Sequence, residues 1–118
     1  MAQYLILIYG NEQRWNEMSP EEMEQIDDGH RAFRAKAGEA ILASGQLEST
    51  TLASTLRVGS GGGAGVTDGP FPETKEVLGG FYLLDATDLA TAISLAGGLA
   101  EASHDHSGVE IRPLVQRG

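Results

Sequence analysis

A handful of side chains in this sequence carry groups able to do chemistry. Asp68 opens an Asp68-Gly69-Pro70-Phe71 turn. A carboxylate at the head of such a turn accepts hydrogen bonds from its own backbone. At the mouth of a cleft the same group serves as a general acid or base. His30 lies one helical turn from Ile26 and Phe33 on an apolar stripe. A histidine there is either a satisfied core residue or a side chain that faces a cavity between helix and sheet. A neutral imidazole held near an Asp is a proton shuttle, so a His30–Asp68 pair is the sharpest catalytic hypothesis. Lys75 and Arg112, with Glu73 beside them, are candidates to clamp an anionic substrate. The competing reading is surface or interface ion pairing, which the shared strand face of Glu110 and Arg112 favours. His104-Asp105-His106 has the outline of a metal cluster. Alternate histidines project together only from an extended segment, and no third or fourth ligand is evident, so a solvated loop is expected. Tyr9, Phe81 and Tyr82 read as core or interface aromatics, one of which lines any pocket.

Several function classes are excluded or disfavoured by composition. There are 118 residues, which is one domain, 1–118, large enough for one core without staples. With no cysteine there is no disulfide, thiolate nucleophile or zinc–cysteine site. Lys plus Arg is 8 against 17 Asp plus Glu, a net charge of −9 that opposes binding to nucleic-acid backbones. The apolar start, Tyr4 to Tyr9, lacks a basic leader and is too short to span a membrane, so a soluble cytoplasmic protein is expected. Gly59, Gly61 and Ala64 match a loose dinucleotide fingerprint, but no helix follows, and no Gly-Lys-Ser/Thr loop is present. No cofactor or metal is implied.

Positioning these groups falls to a short list of elements. Gln3 to Tyr9 is a β-rich strand apolar on both faces, and both must be covered. Gly10 to Met18 is a polar loop holding Trp15. Ser19-Pro20-Glu21-Glu22 starts a helix, with Ser19 as N-cap and Glu22 closing a capping box. The stripe Met23, Ile26, His30, Phe33, Ala37 and Ile41 carries it to about Ser44, with Gly45 as its stop. Strand-like material follows at Leu47 to Leu52 and Ser54 to Val58. The glycines after Val58 form the tip of a hairpin to Ala64–Thr67. Glu76 to Asp85 is a second doubly apolar strand, where Gly79 and Gly80 suggest a bulge or close approach. Thr87 or Asp88 caps a second helix, Leu89 to about Gly97, with Leu89, Ala92, Ile93 and Ala96 inward. Residues 99–107 are a loop, and Val109 to Arg112 is the last strand.

Strand, long helix, strand with hairpin, strand, helix, strand is the α+β, ferredoxin-like split βαβ order with an inserted hairpin. Two helices cover one face of an antiparallel sheet. The other face of the doubly apolar strands needs a cover, and a second copy is the simplest one, so a homodimer packed sheet to sheet is expected.

Thr67-Asp-Gly-Pro-Phe-Pro-Glu-Thr-Lys-Glu-Val-Leu-Gly-Gly-Phe-Tyr82 resembles the DGPF-domain branch of the YCII-related proteins. Tyr4-Leu-Ile-Leu-Ile-Tyr-Gly10, Ala43-Ser-Gly45 and Val109-Glu-Ile-Arg-Pro113 extend the likeness over nearly the whole chain. The glycine-rich hairpin tip and the His104-Asp105-His106 loop depart from it. The resemblance implies a dimeric α+β barrel of ferredoxin-like subunits. It also points to small dehalogenase-like or lyase-like enzymes acting on ring lactones, and to proteins encoded near extracytoplasmic-function sigma factors. Two functions are therefore carried forward. One is a cofactor-independent acid/base enzyme, lyase- or isomerase-like, on a small anionic or ring substrate, with Asp68 and His30 as acid and base. The other is a noncatalytic ligand-binding or regulatory module tied to sigma-factor signalling.

Overall fold

A computed structural model describes residues 1–58, 64–69 and 75–116. In chain order the elements are β1 (Ala2–Asn11), α1 (Glu12–Asn16), α2 (Pro20–Ala37), β2 (Ile41–Gln46), β3 (Ser54–Val58), β4 (Ala64–Asp68), β5 (Glu76–Ala86), α3 (Leu89–Ala96) and β6 (Ser107–Pro113). The main sheet has four antiparallel strands in the order β2-β5-β1-β6, and β3 and β4 form a separate two-stranded arm. Set the arm aside, and this is the ferredoxin-like arrangement, with the two doubly apolar strands at the centre.

Alternation along β1 and β5 sorts the side chains. Tyr4, Ile6 and Ile8 join Tyr82, Leu84 and Ala86 beneath the helices, packed with Phe33 of α2 and with Ala92 and Ala96 of α3. Ile6 and Leu84 are fully buried, each worth roughly 1.5–3 kcal/mol of transfer free energy. On the opposite face the register sets Leu5 beside Leu83 and Arg112, and Leu7 beside Phe81 and Glu110.

Capping at α2 follows the sequence: the Glu22 N–H donates to the Ser19 hydroxyl at 3.2 Å, and Pro20 is the first helical residue. Its end does not follow. The helix stops at Ala37, where Gly38 takes φ 53, a left-handed conformation that favours glycine. Ile41 to Gln46 then pair with β5 as an edge strand, Ser44 opposite Tyr82 and Gly45 opposite Phe81. Tertiary pairing outweighs the local helical pattern there. The expected strand at Leu47 to Leu52 is instead a connection with a 3-10 turn at Thr50–Leu52. Within the expected loop after Gly10, Asn11 caps the short helix α1, its side chain accepting from the Arg14 N–H.

Asp88 caps α3 by accepting from the Thr91 N–H at 2.8 Å. Ala92 and Ala96 face inward as read, whereas Leu89 and Ile93 are exposed. The bulge expected at the glycine pair is present. Ile8 pairs with Gly80 and Tyr9 with Leu78, which leaves Gly79 as the extra residue. Among the described residues no helix is long and apolar enough to cross a membrane.

Candidate functional site

A cleft of about 550 Å³ opens between α2, α1 and the β2–β5 corner of the sheet. Met23, Ile26, Asp27, His30, Arg31 and Arg34 reach it from α2, at spacings that put them on one helix face. Trp15 forms another wall. A Cβ at Gly79 would sit 2.7 Å from its ring, so the bulge glycine is what admits the indole. The Trp15 ring N–H donates to the Ser107 hydroxyl at 2.8 Å, tying that wall to β6. Glu12 ties the 47–53 connection to α1 by accepting from the Thr50 N–H at 2.9 Å and from its hydroxyl. Those bonds, the hydroxyl's first, hold the Glu12 carboxyl below its ordinary range.

His30 lies at the floor of the cleft with both ring nitrogens engaged. Nδ1 is 2.6 Å from the Tyr82 hydroxyl and Nε2 is 2.7 Å from Oε2 of Glu101. An ionised Glu101 can only accept, which puts a proton on Nε2. A neutral ring then accepts at Nδ1 from the Tyr82 O–H. Burial pushes the Tyr82 phenol up; the nearby Arg34 cation opposes this and Glu101 adds to it. The Arg34 guanidinium stands 5.8 Å from the Tyr82 ring centroid, and among the described residues it has no carboxylate partner. Arg31, by contrast, is paired with Asp28. Glu101 is buried, and its Oε1 has no hydrogen-bond partner among the described residues. It reaches His30 because α2 lies close to the segment that carries it. A Cβ at Gly29 would be 3.0 Å from the Ala100 nitrogen.

The sequence-derived candidates are dispersed. His30 is in the cleft, on the cavity-facing side of its two readings. Asp68 ends β4 on the arm, is exposed, and is not among the residues lining the cleft. The His30–Asp68 pair does not form, since Tyr82 and Glu101 hold both His30 nitrogens. Lys75 is exposed at the entry to β5. Arg112 is on the sheet face opposite the helices and pairs with Glu110 at 3.0 Å. Glu73 lies outside the described residues. The 104–106 loop is less solvated than expected: His106 is buried and its Nδ1 is 2.8 Å from the Ser107 hydroxyl. Asp105 pairs with Arg14 at 3.4 Å. Among the described residues no group of three or more His, Asp or Glu side chains is placed to hold a metal.

Glu101 and Arg34 are the site residues that sequence reasoning missed. Glu101 has one faint signal, a lone carboxylate in the small apolar run Leu99-Ala100-Glu101-Ala102. Arg34 has the α2 spacing: it follows His30 by one turn.

A sequence profile of the YCII-related domain matches residues 2–116. "Uncharacterized protein R00369" of Rhizobium meliloti (strain 1021) is similar, 40% identical over 114 residues that cover 95% of this chain and 91% of that protein. Both likenesses span the elements that build the cleft.

Proposed function

The chain belongs to the YCII-related family, and from that footing we propose that it handles protons for a small anionic or ring-shaped substrate in the His30 cleft. The observation that carries this reading is the Glu101–His30–Tyr82 chain of short hydrogen bonds within a cleft of small-molecule size. A proton taken from the substrate's C–H reaches the Tyr82 oxygen as the phenol's own proton passes to Nδ1 of His30, which leaves the substrate carbanion and an imidazolium whose ring nitrogens are both donors. Nε2–H stays on Glu101, and Nδ1–H turns to the Tyr82 oxygen. The phenol's own O–H is then released to donate to a substrate group. The reverse step returns the proton and restores the first arrangement. Glu101 fills the carboxylate role first assigned to Asp68, orienting the imidazole and stabilising its charged form. Arg34 fills the anion-holding role first assigned to Lys75 and Arg112, and Glu73 has no part in it. No cofactor enters this scheme. The same reading has the protein work as a cytoplasmic homodimer, with the second apolar sheet face covered by another copy.

Proton exchange tests it. Wild type, His30→Gln, Glu101→Gln and Asp68→Ala are incubated in D2O with a panel of small ring lactones and 2-substituted carboxylates, and C–H loss is followed by NMR. Wild type and Asp68→Ala should exchange at least one panel member. His30→Gln should lose about 100-fold or more. Saturable binding without exchange would favour the ligand-binding, regulatory alternative. Exchange lost in Asp68→Ala but retained in His30→Gln would move the chemistry out of this cleft.

A further inference from the structure

We propose that Asp27 sets the charge pattern of the substrate, so that the cleft takes a bipolar ring compound with a carboxylate at one end and an ammonium group at the other. This rests on the His30 cleft being the place where substrate binds, and it names the class of molecule held there. Asp27, His30 and Arg34 all line the cleft from α2. They lie three and then four residues apart, which puts them in one row on the helix. At about 1.5 Å of rise per residue, Asp27 stands about 4.5 Å along the axis to one side of His30, and Arg34 about 6 Å to the other. The imidazole therefore lies between a carboxylate and a guanidinium.

Most other charged side chains of the cleft are already engaged. Arg31 pairs with Asp28, Glu12 accepts from Thr50, and Glu101 holds His30. Arg31 is one turn from Asp27 and could have neutralised it within the helix, but it is paired with Asp28 instead. Among the described residues neither Asp27 nor Arg34 has an ionic partner, and Arg34 has only the face of the Tyr82 ring. Two opposite charges left open at the ends of one row, with the proton-handling group between them, suit a ligand that brings the opposite charge to each. A second carboxylate on the ligand would be repelled. Glu48 lines the cleft from the 47–53 connection, so Asp27, Glu48, Glu12 and Glu101 stand against Arg31 and Arg34 alone. This excess rejects a dianion by repulsion while Arg34 selects one carboxylate by attraction. Trp15, Ile26 and Phe81 give the ring between the charged ends an apolar wall.

Three cyclohexanecarboxylates that differ only at the ring carbon opposite the carboxylate test the pattern: one carries an ammonium there, one a hydrogen and one a second carboxylate. Dissociation constants are read by NMR chemical-shift titration of wild type, Asp27→Asn and Arg34→Gln at neutral pH and low ionic strength. Both positions are exposed, so both variants should fold, with far-UV circular dichroism as the check. Wild type should bind the ammonium compound about fivefold more tightly than the dicarboxylate, with the plain carboxylate between them, and added salt should shrink the spread. Asp27→Asn should bring the three affinities together, and Arg34→Gln should weaken all three. Equal affinities in wild type, a dicarboxylate bound most tightly, an order unchanged in Asp27→Asn, or saturable binding of none of the three would overturn the bipolar class. Deuterium exchange on the lactone panel reads the proton chemistry apart from binding. Exchange that persists beside any of those results removes the charge pattern alone, whereas loss of exchange with the charge order intact removes the proton chemistry alone.

Discussion

Tyr82 links the stability of the protein to the proposed chemistry. Its ring packs against Phe33, centroids 4.5 Å apart, while its hydroxyl meets His30. Burial raises the phenol above its ordinary value of 10.0. The folded chain therefore keeps a proton that the unfolded chain gives up. Stability from this group is complete below about pH 10 and is lost as pH climbs through the higher folded value. Tyr82→Phe should flatten the fall of the urea midpoint above pH 10 while leaving it parallel to wild type at neutral pH. An unchanged alkaline slope would deny Tyr82 its buried, protonated state. At this scale His30 was legible, because helical spacing alone places it beside Ile26 and Phe33. Glu101 was not. Its place depends on the close approach of Gly29 to Ala100, a contact between segments about 70 residues apart in sequence. Asp68 drew notice for its turn; it ends β4, exposed, and Pro70 and Phe71 of that turn lie outside the described residues.

Between elements, the cleft depends on a bulge and an indole. Gly79 is the unpaired residue of the β1–β5 ladder, and Trp15 occupies the space its missing side chain leaves. Gly79→Ala should push the indole out of its seat and break the bond to Ser107. Trp15 is the only tryptophan, so the change reads directly as a red shift of emission. An emission maximum like that of wild type would show that the wall moves freely. The glycine pair announced this close approach in the sequence, but the partner was hidden, since Trp15 lies in what reads as a polar loop. The end of α2 was misread for a related reason. Ile41 continues the apolar stripe of the helix, and it also suits an edge strand opposite Leu84. Gly38 at φ 53 decides between them, and Gly45, the expected stop, lies within β2.

For the whole molecule, the sequence pattern was more informative. Two strands apolar on both sides required a sheet covered twice, and among the described residues α2 and α3 cover one side. The two faces should respond differently to truncation. Ile6→Ala, beneath the helices, should cost about 2–5 kcal/mol at any protein concentration. Leu5→Ala, on the open face, should instead lower the thermal midpoint at protein concentrations where copies associate and leave it near that of wild type at concentrations where both are monomeric. Equal behaviour of the two variants would argue against a copy on the open face. The arm was legible as a hairpin from the glycines in its sequence, but its separation from the main sheet was not, because hairpin pairing is local while the choice of sheet is tertiary.

The direct measurement for the His30 cleft is a backbone chemical-shift map of the labelled protein against small carboxylates and ring lactones. Saturable shifts should gather at His30, Arg34, Ser44 to Ser49 and Leu78 to Phe81, and they should vanish in His30→Gln. Shifts centred on Asp68 to Lys75, or none that saturate with any compound, would contradict the placement of function in this cleft.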